Sequence, residues 1–489
     1  MDTSTPVNVP GDETVETHIS TIYFDGDRAY KVKKPLKTPF LDFSTRALRR
    51  RACELEVCLN QRLAPDVYLG VGDVVLPDGS IEPAVVMRRM PARRRLARLV
   101  TTGQDVRAEL RSVARTMAIF HQRARTGPDI ERAALPDAVR AKWVANIDEM
   151  QAFVPSVFKR SQLDQLSERV LRYLAGRSEL FASRIRDGRI RDGHGDLLAD
   201  DVFCLDDGPR ILDCLEFDDT LRHTDVLEDV ASLAMDVERL GRRDLATEFL
   251  ADHAEFLGDR YPQSLADFYI AYRFVVRAKV AAIRWAQGAE GMLSEARGLL
   301  RSALQRLEQS MVRLVLVGGL PGSGKSTLAA ALADRHGWCV LRSDEVRREL
   351  CGEEAEPAGY GQGRYATEVT DRVSTELLRR SEMMLALGET VLLDASWSSR
   401  ARREQAARVA ASASAQLVEI ELAVSFPEAS DRLRRRAGTK DPSEATPEVL
   451  AHMAADAEPW TSATRLDAAQ SPASVLEMAE EVLTPCVTI

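Results

Sequence analysis

One stretch decides the fold of the second half of this chain, and it reads Gly319-Leu320-Pro321-Gly322-Ser323-Gly324-Lys325-Ser326. Its G-x-x-x-x-G-K-S spacing is that of a phosphate-binding loop. The apolar run 312–317 before the loop predicts a buried parallel strand, and the alanine-rich run 327–333 after it predicts a helix. A chance glycine-rich turn is the alternative interpretation, but the strand and the helix on either side favour the phosphate loop.

The chemistry that this loop predicts is nucleotide binding. Glycine lets the backbone pass close to phosphates, while backbone N–H groups and the helix N-terminus face the anion. We expect Lys325 to reach the β- and γ-phosphates of ATP, and Ser326 to hold Mg²⁺. The residues predicted to bind the cofactor here are Gly319, Gly322, Ser323, Gly324, Lys325, Ser326 and Thr327.

Two aspartates at the ends of other predicted strands add to this site. Asp344 follows the run 338–342, and Asp394 ends the run 390–394. Beside a phosphate loop, such an aspartate can hold Mg²⁺ or accept a proton from a substrate hydroxyl. Capping of the following helix is the alternative for each. Arg347 lies three residues after Asp344, on the same face of a helical turn, which suits a kinase that orients an acceptor.

These motifs resemble those of the small phosphate-loop kinases, which include gluconate kinase, the kinase part of polynucleotide kinase and zeta-toxin-like kinases. The resemblance rests on GGLPGSGKST, SDEVR, VLLDASW, the arginines Arg400, Arg402 and Arg403, and the arginine-rich segment 431–436. It implies ATP-dependent phosphorylation of a hydroxyl group, with Asp344 as the catalytic base and Arg347 as a contact to the acceptor. Asp394, from its position at a strand end, is the predicted metal ligand. The segment 431–436 is either a mobile lid that neutralises phosphoryl charge or a solvated helix face.

Length and composition predict a multidomain cytoplasmic protein. The chain has 489 residues, which is too many for one hydrophobic core. Its seven cysteines include no C-x-x-C pair, which is typical of reduced thiols rather than a disulfide framework or a zinc site. We expect no signal peptide and no membrane span. The net charge of −9 argues against a general nucleic-acid partner, including phosphorylation of nucleic-acid ends.

The pattern of the chain predicts a hairpin, then mainly helices, then alternating strands and helices. Two alternating runs within 19–33 flank Asp25-Gly26-Asp27, which is a strong hairpin signal. The other elements expected in the first part are a helix at 44–63, strands at 67–75 and 84–87, helices at 96–185, a β-rich island at 190–217, and helices again to about 310. Strands at 312–317, 338–342, 390–394 and 417–424, with helices between them, predict a parallel sheet covered on both faces.

A second candidate site lies in the β-rich island. His194-Gly195-Asp196 follows a short apolar strand, and Asp213 ends another strand seventeen residues after Asp196. Two acids at neighbouring strand ends can serve as a general base and a metal ligand. A pair of turn aspartates is the alternative interpretation.

This block resembles the aminoglycoside phosphotransferase and choline kinase group, whose fold is protein-kinase-like. The resemblance implies that Asp196 is the catalytic base and Asp213 a Mg²⁺ ligand, while Asp225 and Asp229 lie on the helix that supports the loop. The group pattern has an asparagine as second metal ligand where this chain has Asp201. A carboxylate still suits Mg²⁺, but it adds negative charge near the phosphates.

The same resemblance places the phosphate-binding lysine on the strand 29–33. Alternation puts Lys31 and Lys33 on one face of that strand, so both remain candidates. Glu56, on the predicted helix, is the expected partner of the lysine, with Glu54 as the second choice. The domains implied are a kinase-like N-lobe at 1–95, a helical C-lobe with the catalytic loop at 96–310, and a phosphate-loop kinase or ATPase domain at 311–489.

The chain as a whole resembles bacterial bifunctional phosphotransferase/ATP-binding proteins, with an α+β kinase-like part followed by an α/β part. We therefore predict an ATP- and Mg²⁺-dependent phosphotransferase with two heads that act on small hydroxylated, sugar-like metabolites. The alternative is that the N-terminal head is a degenerate, ligand-binding module that controls a C-terminal ATPase or kinase, and Asp201 keeps this alternative open. The sequence predicts no oligomeric state.

Overall fold

The computed structural model describes residues 6–9, 13–17, 19–38, 41–352, 362–436 and 446–483. The chain divides into two compact units. The first consists of Met1–Asp164, Phe181–Tyr261 and Ala266–Arg306, and the second of Gln165–Leu180, Pro262–Leu265 and Leu307–Ile489. The expected domain boundaries at residues 95 and 310 stay predictions.

A six-stranded, mostly antiparallel sheet opens the first unit, in the order β1-β7-β8-β4-β3-β2. Its strands are β1 (Val7–Asn8), β2 (Thr14–Glu16), β3 (Ser20–Asp25), β4 (Arg28–Lys33), β7 (Tyr68–Val75) and β8 (Ile81–Arg88), with a separate short hairpin of β5 (Lys37–Thr38) and β6 (Leu41–Asp42). The predicted hairpin is confirmed, because β3 and β4 pair from Ser20↔Lys33 to Asp25↔Arg28 around Gly26 at φ +55°. Helix α1 (Arg46–Asn60) packs against β7 and β8 and begins after Thr45, whose side chain caps it.

The middle of the chain is helical around a small β-rich island, as predicted. The helices are α2 (Leu96–Thr101), α3 (Arg107–Arg123), α4 (Pro128–Glu131), α5 (Pro136–Gln151), α6 (Arg160–Ala175), α7 (Ser178–Arg186), α8 (Asp219–Arg222), α9 (Val226–Arg239), α10 (Arg243–Leu257), α11 (Gln263–Ala286) and α12 (Met292–Gln309). The island consists of β9 (Ile190–Asp192), β10 (Val202–Leu205), β11 (Gly208–Ile211) and β12 (His223–Asp225), paired as β9 with β12 and β10 with β11. The loop after β9 lies next to the segment after β11, because the N–H of Leu215 donates to the carbonyl of His194 at 3.1 Å.

The second unit contains a five-stranded parallel sheet in the order β14-β15-β13-β16-β17. Its elements are β13 (Arg313–Gly318), α13 (Lys325–His336), β14 (Cys339–Arg342), α14 (Ser343–Cys351), α15 (Thr367–Ala386), β15 (Val391–Asp394), α16 (Arg400–Ser412), β16 (Gln416–Ala423), α17 (Phe426–Arg436), α18 (Pro447–Ala455), β17 (Thr464–Asp467) and α19 (Pro472–Leu483). The four expected strands are confirmed. Strand β17 was not predicted, because Leu466 is its one buried residue and an edge strand of this kind leaves no apolar run.

Across the described parts of the chain, no helix combines the length and the apolar character needed to cross a membrane.

Candidate active sites

The phosphate loop is held in a shape that glycine alone tolerates at several positions. Gly319, Gly322 and Gly324 have φ values of +136°, +82° and +94°. A Cβ on Gly319 would lie 2.5 Å from the carbonyl oxygen of Leu422, and one on Gly322 would lie 2.7 Å from that of Ala429. Helix α13 begins directly after the loop, so its first N–H groups have no partner within the helix and face the loop. This cradle fits the phosphates of a nucleotide.

Ser326 and Asp394, predicted from separate motifs, meet at the edge of the sheet. The Ser326 hydroxyl donates to Oδ2 of Asp394 at 2.6 Å, and Nε of Arg342 donates to the same oxygen at 3.2 Å. Asp394 reaches the phosphate loop because β13 and β15 are parallel and their register sets Asp394 beside Val317, at the end of the strand that leads into the loop. A hydroxyl and a carboxylate next to phosphates are the ligands that Mg²⁺ takes in such loops. The pair therefore fits the predicted metal position.

The loop opens into a polar cavity of about 470 Å³. Asp344 and Arg347 both line it, at the start of α14, so the structure brings the predicted base and acceptor contact to the phosphate loop. Lys325 also lines the cavity, and its Nζ donates to the carbonyl of Leu320 at 3.0 Å. Part of the wall is apolar, from Leu433, Val449 and Met453.

The arginine-rich segment 431–436 is divided between the cavity and the surface. Arg432 lines the cavity, and its Nη2 donates to the carbonyl of Ala468 at 2.8 Å. Arg434 is exposed and pairs with Asp431 one turn away, which is the solvated-face arrangement. The side chain of Arg436 lies outside the described residues. A role of this segment as a lid stays a prediction.

The three arginines after β15 have three different environments. Arg400 is exposed and pairs with Glu404. Arg403 is buried and donates to the backbone carbonyls of Trp397 at 2.7 Å and Pro459 at 2.8 Å. Arg402 lines the cavity. All three arginines lie in the first turn of α16, so their different directions around the helix axis determine which of them lines the cavity.

In the first unit, both candidate lysines bind the same glutamate. Lys31 Nζ lies 2.9 Å from Oε1 of Glu56, and Lys33 Nζ lies 2.6 Å from Oε2. Glu56 is completely buried, whereas Glu54 is exposed and takes no part in this cluster. Lys31 and Lys33 therefore lie on the same face of β4, as predicted, and Glu56 of α1 contacts both of them.

The surroundings of the two lysines differ. Lys31 also pairs with Asp213 at 2.5 Å, which is the predicted metal ligand. Lys33 pairs instead with Glu216 and is 1% exposed, so acids enclose it on both sides. Burial opposes the charge of Lys31, but Asp213 and Glu56 outweigh it and hold the pKa of Lys31 well above its usual value. The geometry favours Lys31 as the lysine that faces the nucleotide.

The carboxylates of Asp196, Asp201 and Asp213 lie close enough to interact electrostatically. Asp213 has a left-handed backbone, with φ +64°, which is uncommon for a residue other than glycine and recurs at functional sites. Partial loss of solvation opposes ionisation of Asp213, whose side chain is 48% exposed, but Lys31 holds its pKa below the usual range. Burial and the charges of Asp213 and Asp196 raise the pKa of Asp201 well above its usual value. The predicted base and both predicted metal ligands of this unit thus lie within electrostatic reach of one another.

Within the described ranges, no group of three or more histidine, cysteine or acidic side chains is arranged to hold a metal ion. Mg²⁺ in phosphoryl-transfer sites is usually bound by one or two carboxylates together with the phosphates of the substrate. The pairs Asp213 with Asp201 and Ser326 with Asp394 fit that mode of binding.

Asp229 supports the loop that carries Asp196, as predicted. Its two carboxylate oxygens accept from the backbone N–H groups of His194 and Gly195, both at 2.8 Å. His121 Nε2 lies 2.9 Å from Asp229 as well. Gly193 leaves room for this carboxylate, because a Cβ there would lie 2.5 Å from it. This buried acid therefore fixes two consecutive N–H groups of the loop.

Replacing Asp229 by asparagine is expected to lower the free energy of unfolding by about 3 kcal/mol at neutral pH. Asparagine has one acceptor oxygen, so one buried N–H loses its partner. Burial opposes the charge of Asp229, but the bonds from His121 and His194 hold its pKa below the ordinary 3.8. A lowered native pKa stabilises the fold above the unfolded-state pKa, and this stabilisation is lost as the pH falls through the native pKa.

The difference between wild type and Asp229→Asn should therefore be constant at neutral pH and shrink below about pH 4. Urea unfolding at several pH values measures it. Asp129→Asn is the control, since the side chain of Asp129 is 55% exposed and forms only a surface pair with Arg125. A pH-independent difference would contradict the assignment of an ionised Asp229.

Sequence reasoning missed several residues that hold the first site together. Asn60 accepts from the N–H of Cys214 at 2.9 Å, and Arg273 donates to the carbonyl of Gly195 at 2.8 Å. Glu216 was also missed, although it follows Asp213 by only three residues. The Asn60 and Arg273 bonds join residues 154 and 78 positions apart, so no local pattern could indicate them.

Fold and site together define the class of this protein. Its first unit is an α+β unit, as predicted, whose mostly antiparallel sheet carries two lysines that bind a helix glutamate. Its second unit contains a phosphate-loop domain with a parallel sheet. The resemblance of the second unit to phosphate-loop proteins is confirmed.

Comparison with known proteins identifies the family. The protein Rv2004c of Mycobacterium tuberculosis (strain H37Rv), described as uncharacterized, is 43% identical over 458 residues, which cover 93% of this chain and 92% of Rv2004c. Mb2027c of Mycobacterium bovis matches with the same identity and coverage. The chain belongs to the family of these mycobacterial proteins. A family model described as an AAA domain matches residues 314–460.

Solved structures similar to this chain include two kinds of kinase. A sugar kinase from Janibacter sp. HTCC2649 is 19% identical, with a TM-score of 0.28, and the match covers 35% of this chain and 94% of that protein. Aminoglycoside 2′-phosphotransferase-IIIa, solved as a GDP complex, is 16% identical with a TM-score of 0.40, and the match covers 61% of this chain and 93% of that protein.

Proposed function

We propose that this protein is a cytoplasmic phosphotransferase with two heads, each of which uses ATP and Mg²⁺ to phosphorylate a hydroxyl group of a small, sugar-like metabolite. One observation carries the proposal: each unit has its own lysine and its own acid for the phosphates. These are Lys31 with Asp213 in the first unit and Lys325 with Asp394 in the second. The chain therefore contains two separate sets of the groups that phosphoryl transfer requires.

In the second unit, the protein's task is to position the reactants and neutralise charge. ATP with Mg²⁺, when bound, supplies the phosphoryl group and offsets part of its charge. Lys325 and the loop N–H groups hold the phosphates, and Ser326 with Asp394 would hold the metal. Asp344 accepts the proton of the acceptor hydroxyl, and Arg347 contacts the acceptor.

In the first unit, the corresponding roles fall to residues of the sheet and the two loops. Lys31, oriented by Glu56, binds the phosphates. Asp213 and Asp201 would hold the metal, and Asp196 accepts the proton of the acceptor. Lys33 is enclosed by Glu56 and Glu216, which supports a structural role for this second lysine.

One observation favours a second candidate function. Burial and the charges of Asp213 and Asp196 raise the pKa of Asp201. The surroundings of Asp201 therefore oppose its ionisation as a third negative charge at the predicted metal position. The first unit would then be a ligand-binding module of kinase fold, and it would control an ATPase or kinase in the second unit.

Transfer of label from ATP tests the proposal. The full chain is incubated with γ-labelled ATP, Mg²⁺ and a panel of sugars, sugar acids, sugar phosphates and polyols, and the products are separated. We expect label in an organic phosphate ester. Release of label only as inorganic phosphate would contradict the proposal and favour the ATPase alternative.

A further inference from the structure

Two buried histidines of the first unit lie behind the loop that carries Asp196. His121 on α3 and His253 on α10 are 0% and 1% exposed, and Nδ1 of His121 lies 3.0 Å from Nε2 of His253. The other ring nitrogen of His121, Nε2, lies 2.9 Å from Oδ2 of Asp229. These three side chains form one hydrogen-bonded series, His253–His121–Asp229, which we call the histidine chain.

The two rings of the histidine chain are oriented for a directed bond between them. Their planes are at 87° and their centroids are 5.2 Å apart. This separation matches the 3.0 Å contact extended by one ring radius at each end, so both nitrogens lie close to the line between the centroids. On that line an N–H of one ring points at the in-plane lone pair of the other. The contact is therefore a hydrogen bond and not merely close packing.

The hydrogen positions in the histidine chain follow from its two ends. Asp229 is ionised at neutral pH, because its pKa is held below the usual range, so it only accepts and Nε2 of His121 donates to it. Burial lowers the pKa of His253 well below its usual value, so this ring is neutral and carries one hydrogen.

That one hydrogen of His253 is assigned to Nε2. Nδ1 of His253 is buried and has no hydrogen-bonding partner among the described residues, and a buried N–H without a partner is costly. Nε2 does have a partner, which is Nδ1 of His121. Both rings are therefore Nε2–H tautomers, and every N–H in the chain points toward Asp229.

The histidine chain ends on the acid that fixes the loop before Asp196. Oδ2 of Asp229 accepts from His121 and from the N–H of His194, while Oδ1 accepts from the N–H of Gly195. Three donors from two sides thus set the direction of this carboxylate. In a buried network of this kind the bonds strengthen one another, and an unpaired member is costly.

His253 controls which tautomer His121 can adopt. As long as Nε2–H of His253 donates to Nδ1 of His121, that nitrogen must stay bare and Nε2 of His121 keeps its hydrogen. Without this donor, His121 could move its hydrogen to Nδ1. A bare Nε2 would then face the carboxylate of Asp229, and two acceptors repel each other.

We propose that His253 and His121 are positioning residues of the first unit, which hold the Asp229 carboxylate, and through it the loop, in the arrangement that presents Asp196 to the acceptor. The effect on turnover rests on the proposed function of this unit and deepens it, whereas the hydrogen positions and the hold on the loop do not require activity. No local sequence pattern indicates the pair, because the two histidines are 132 residues apart.

The first test reads the tautomers directly in the full wild-type chain. The seven histidines are labelled with ¹⁵N, and long-range ¹H–¹⁵N spectra at neutral pH distinguish Nδ1–H, Nε2–H and imidazolium rings. The signals lost in His121→Gln and in His253→Gln assign the two rings. We expect both to be neutral Nε2–H tautomers. An Nδ1–H tautomer or an imidazolium at either position would overturn the inference.

The second test removes the donor at His253 and follows the loop. In His253→Leu we expect amide hydrogen exchange in the segment 193–196 to rise about tenfold, with little change in the rest of the first unit. His253→Gln keeps an N–H donor near the position of Nε2 and should restore most of the protection. His336→Leu is the matched control, since His336 pairs with Glu480 near the surface of the second unit, and it should leave this segment unchanged.

The third test measures turnover in a chain that also carries Lys325→Ala, so that only the first unit transfers phosphate. His253→Leu should lower kcat about tenfold to 10²-fold while KM for ATP changes little, because Asp196 is displaced but the phosphate-binding groups are not. His253→Gln should recover most of kcat. A raised KM for ATP with an unchanged kcat would overturn the inference.

The outcomes separate this inference from the proposed function. Unchanged exchange in the segment 193–196 of His253→Leu, or an equal rise throughout the first unit, would assign His253 to general packing and overturn the inference. The spectra are recorded on the wild type, so they decide the tautomers even if the leucine variant does not fold. Absence of transfer to every acceptor would overturn the phosphotransferase function, while the spectra and the exchange data would still decide whether the histidines position the loop.

Discussion

Replacing Asp196 by asparagine is expected to lower phosphoryl transfer by the first unit by about 10²- to 10⁴-fold, which is the usual contribution of a general base. Asp196 follows the two backbone N–H groups that Asp229 holds, so the loop fixes its position without relying on its own side chain. Asparagine has nearly the same shape but cannot accept the acceptor's proton. Turnover should fall while the affinity for Mg-ATP changes little.

The measurement is the steady-state rate of transfer in a chain that also carries Lys325→Ala, so that only the first unit contributes. Asp206→Asn is the control, because the side chain of Asp206 is 98% exposed and pairs on the surface with Arg94. Its rate should stay within about twofold of the parent rate. Full activity in Asp196→Asn would remove Asp196 as the base and favour the regulatory-module interpretation.

The second large effect is expected from Asp344→Asn, which should lower transfer by the second unit by a similar factor of about 10² to 10⁴. Asp344 stands in the first turn of α14 and lines the cavity into which the phosphate loop opens. The Ser326–Asp394 pair and the loop glycines are untouched by this change. Nucleotide binding should therefore persist, and the loss should appear in kcat.

Transfer by the second unit is measured with Asp196→Asn as the background. Asp431→Asn is the control, since Asp431 forms an exposed pair with Arg434 on α17. Loss of Mg-ATP binding in Asp344→Asn would show that Asp344 serves the metal rather than the acceptor. That outcome would contradict the assignment of Asp344 as the base.

The parts of the fold predicted correctly are those with a strong local signal. Strand β13 and α13 enclose a glycine motif, β15 is fully buried and mainly apolar, and β16 alternates buried apolar residues with half-buried ones. Strand β17 leaves no such signal, because it pairs at the edge of the sheet and buries only Leu466. Edge strands are held mainly by backbone pairing, which side-chain patterns do not report.

The residues of the two candidate sites were also predicted only where a local sequence motif indicates them. Motifs predicted Asp196, Asp213, Ser326 and Asp394, because each stands at a fixed position relative to a strand end. The choice between Lys31 and Lys33 could not be predicted, since both point to one face of β4 and both bind Glu56. Their difference comes from acids that are 182 and 183 residues away.

Three arginines that are neighbours in the sequence have different environments in the structure. Arg400, Arg402 and Arg403 stand within four positions, yet one faces solvent, one lines the cavity and one is buried against backbone carbonyls. The rotation of α16 relative to the cavity decides these roles, and it follows from tertiary packing. A run of arginines in a sequence therefore predicts a basic region, but it does not predict which arginine lines the cavity.

The number of Mg-ATP molecules bound per chain tests the central claim, which is that both units are nucleotide sites. Isothermal calorimetry is performed on the wild type, on Lys325→Ala and on Lys31→Met. We predict two sites in the wild type and one in each variant, because each lysine serves a different unit. A single site in the wild type that disappears in Lys325→Ala and persists in Lys31→Met would contradict the account and leave the first unit as a binding module without ATP.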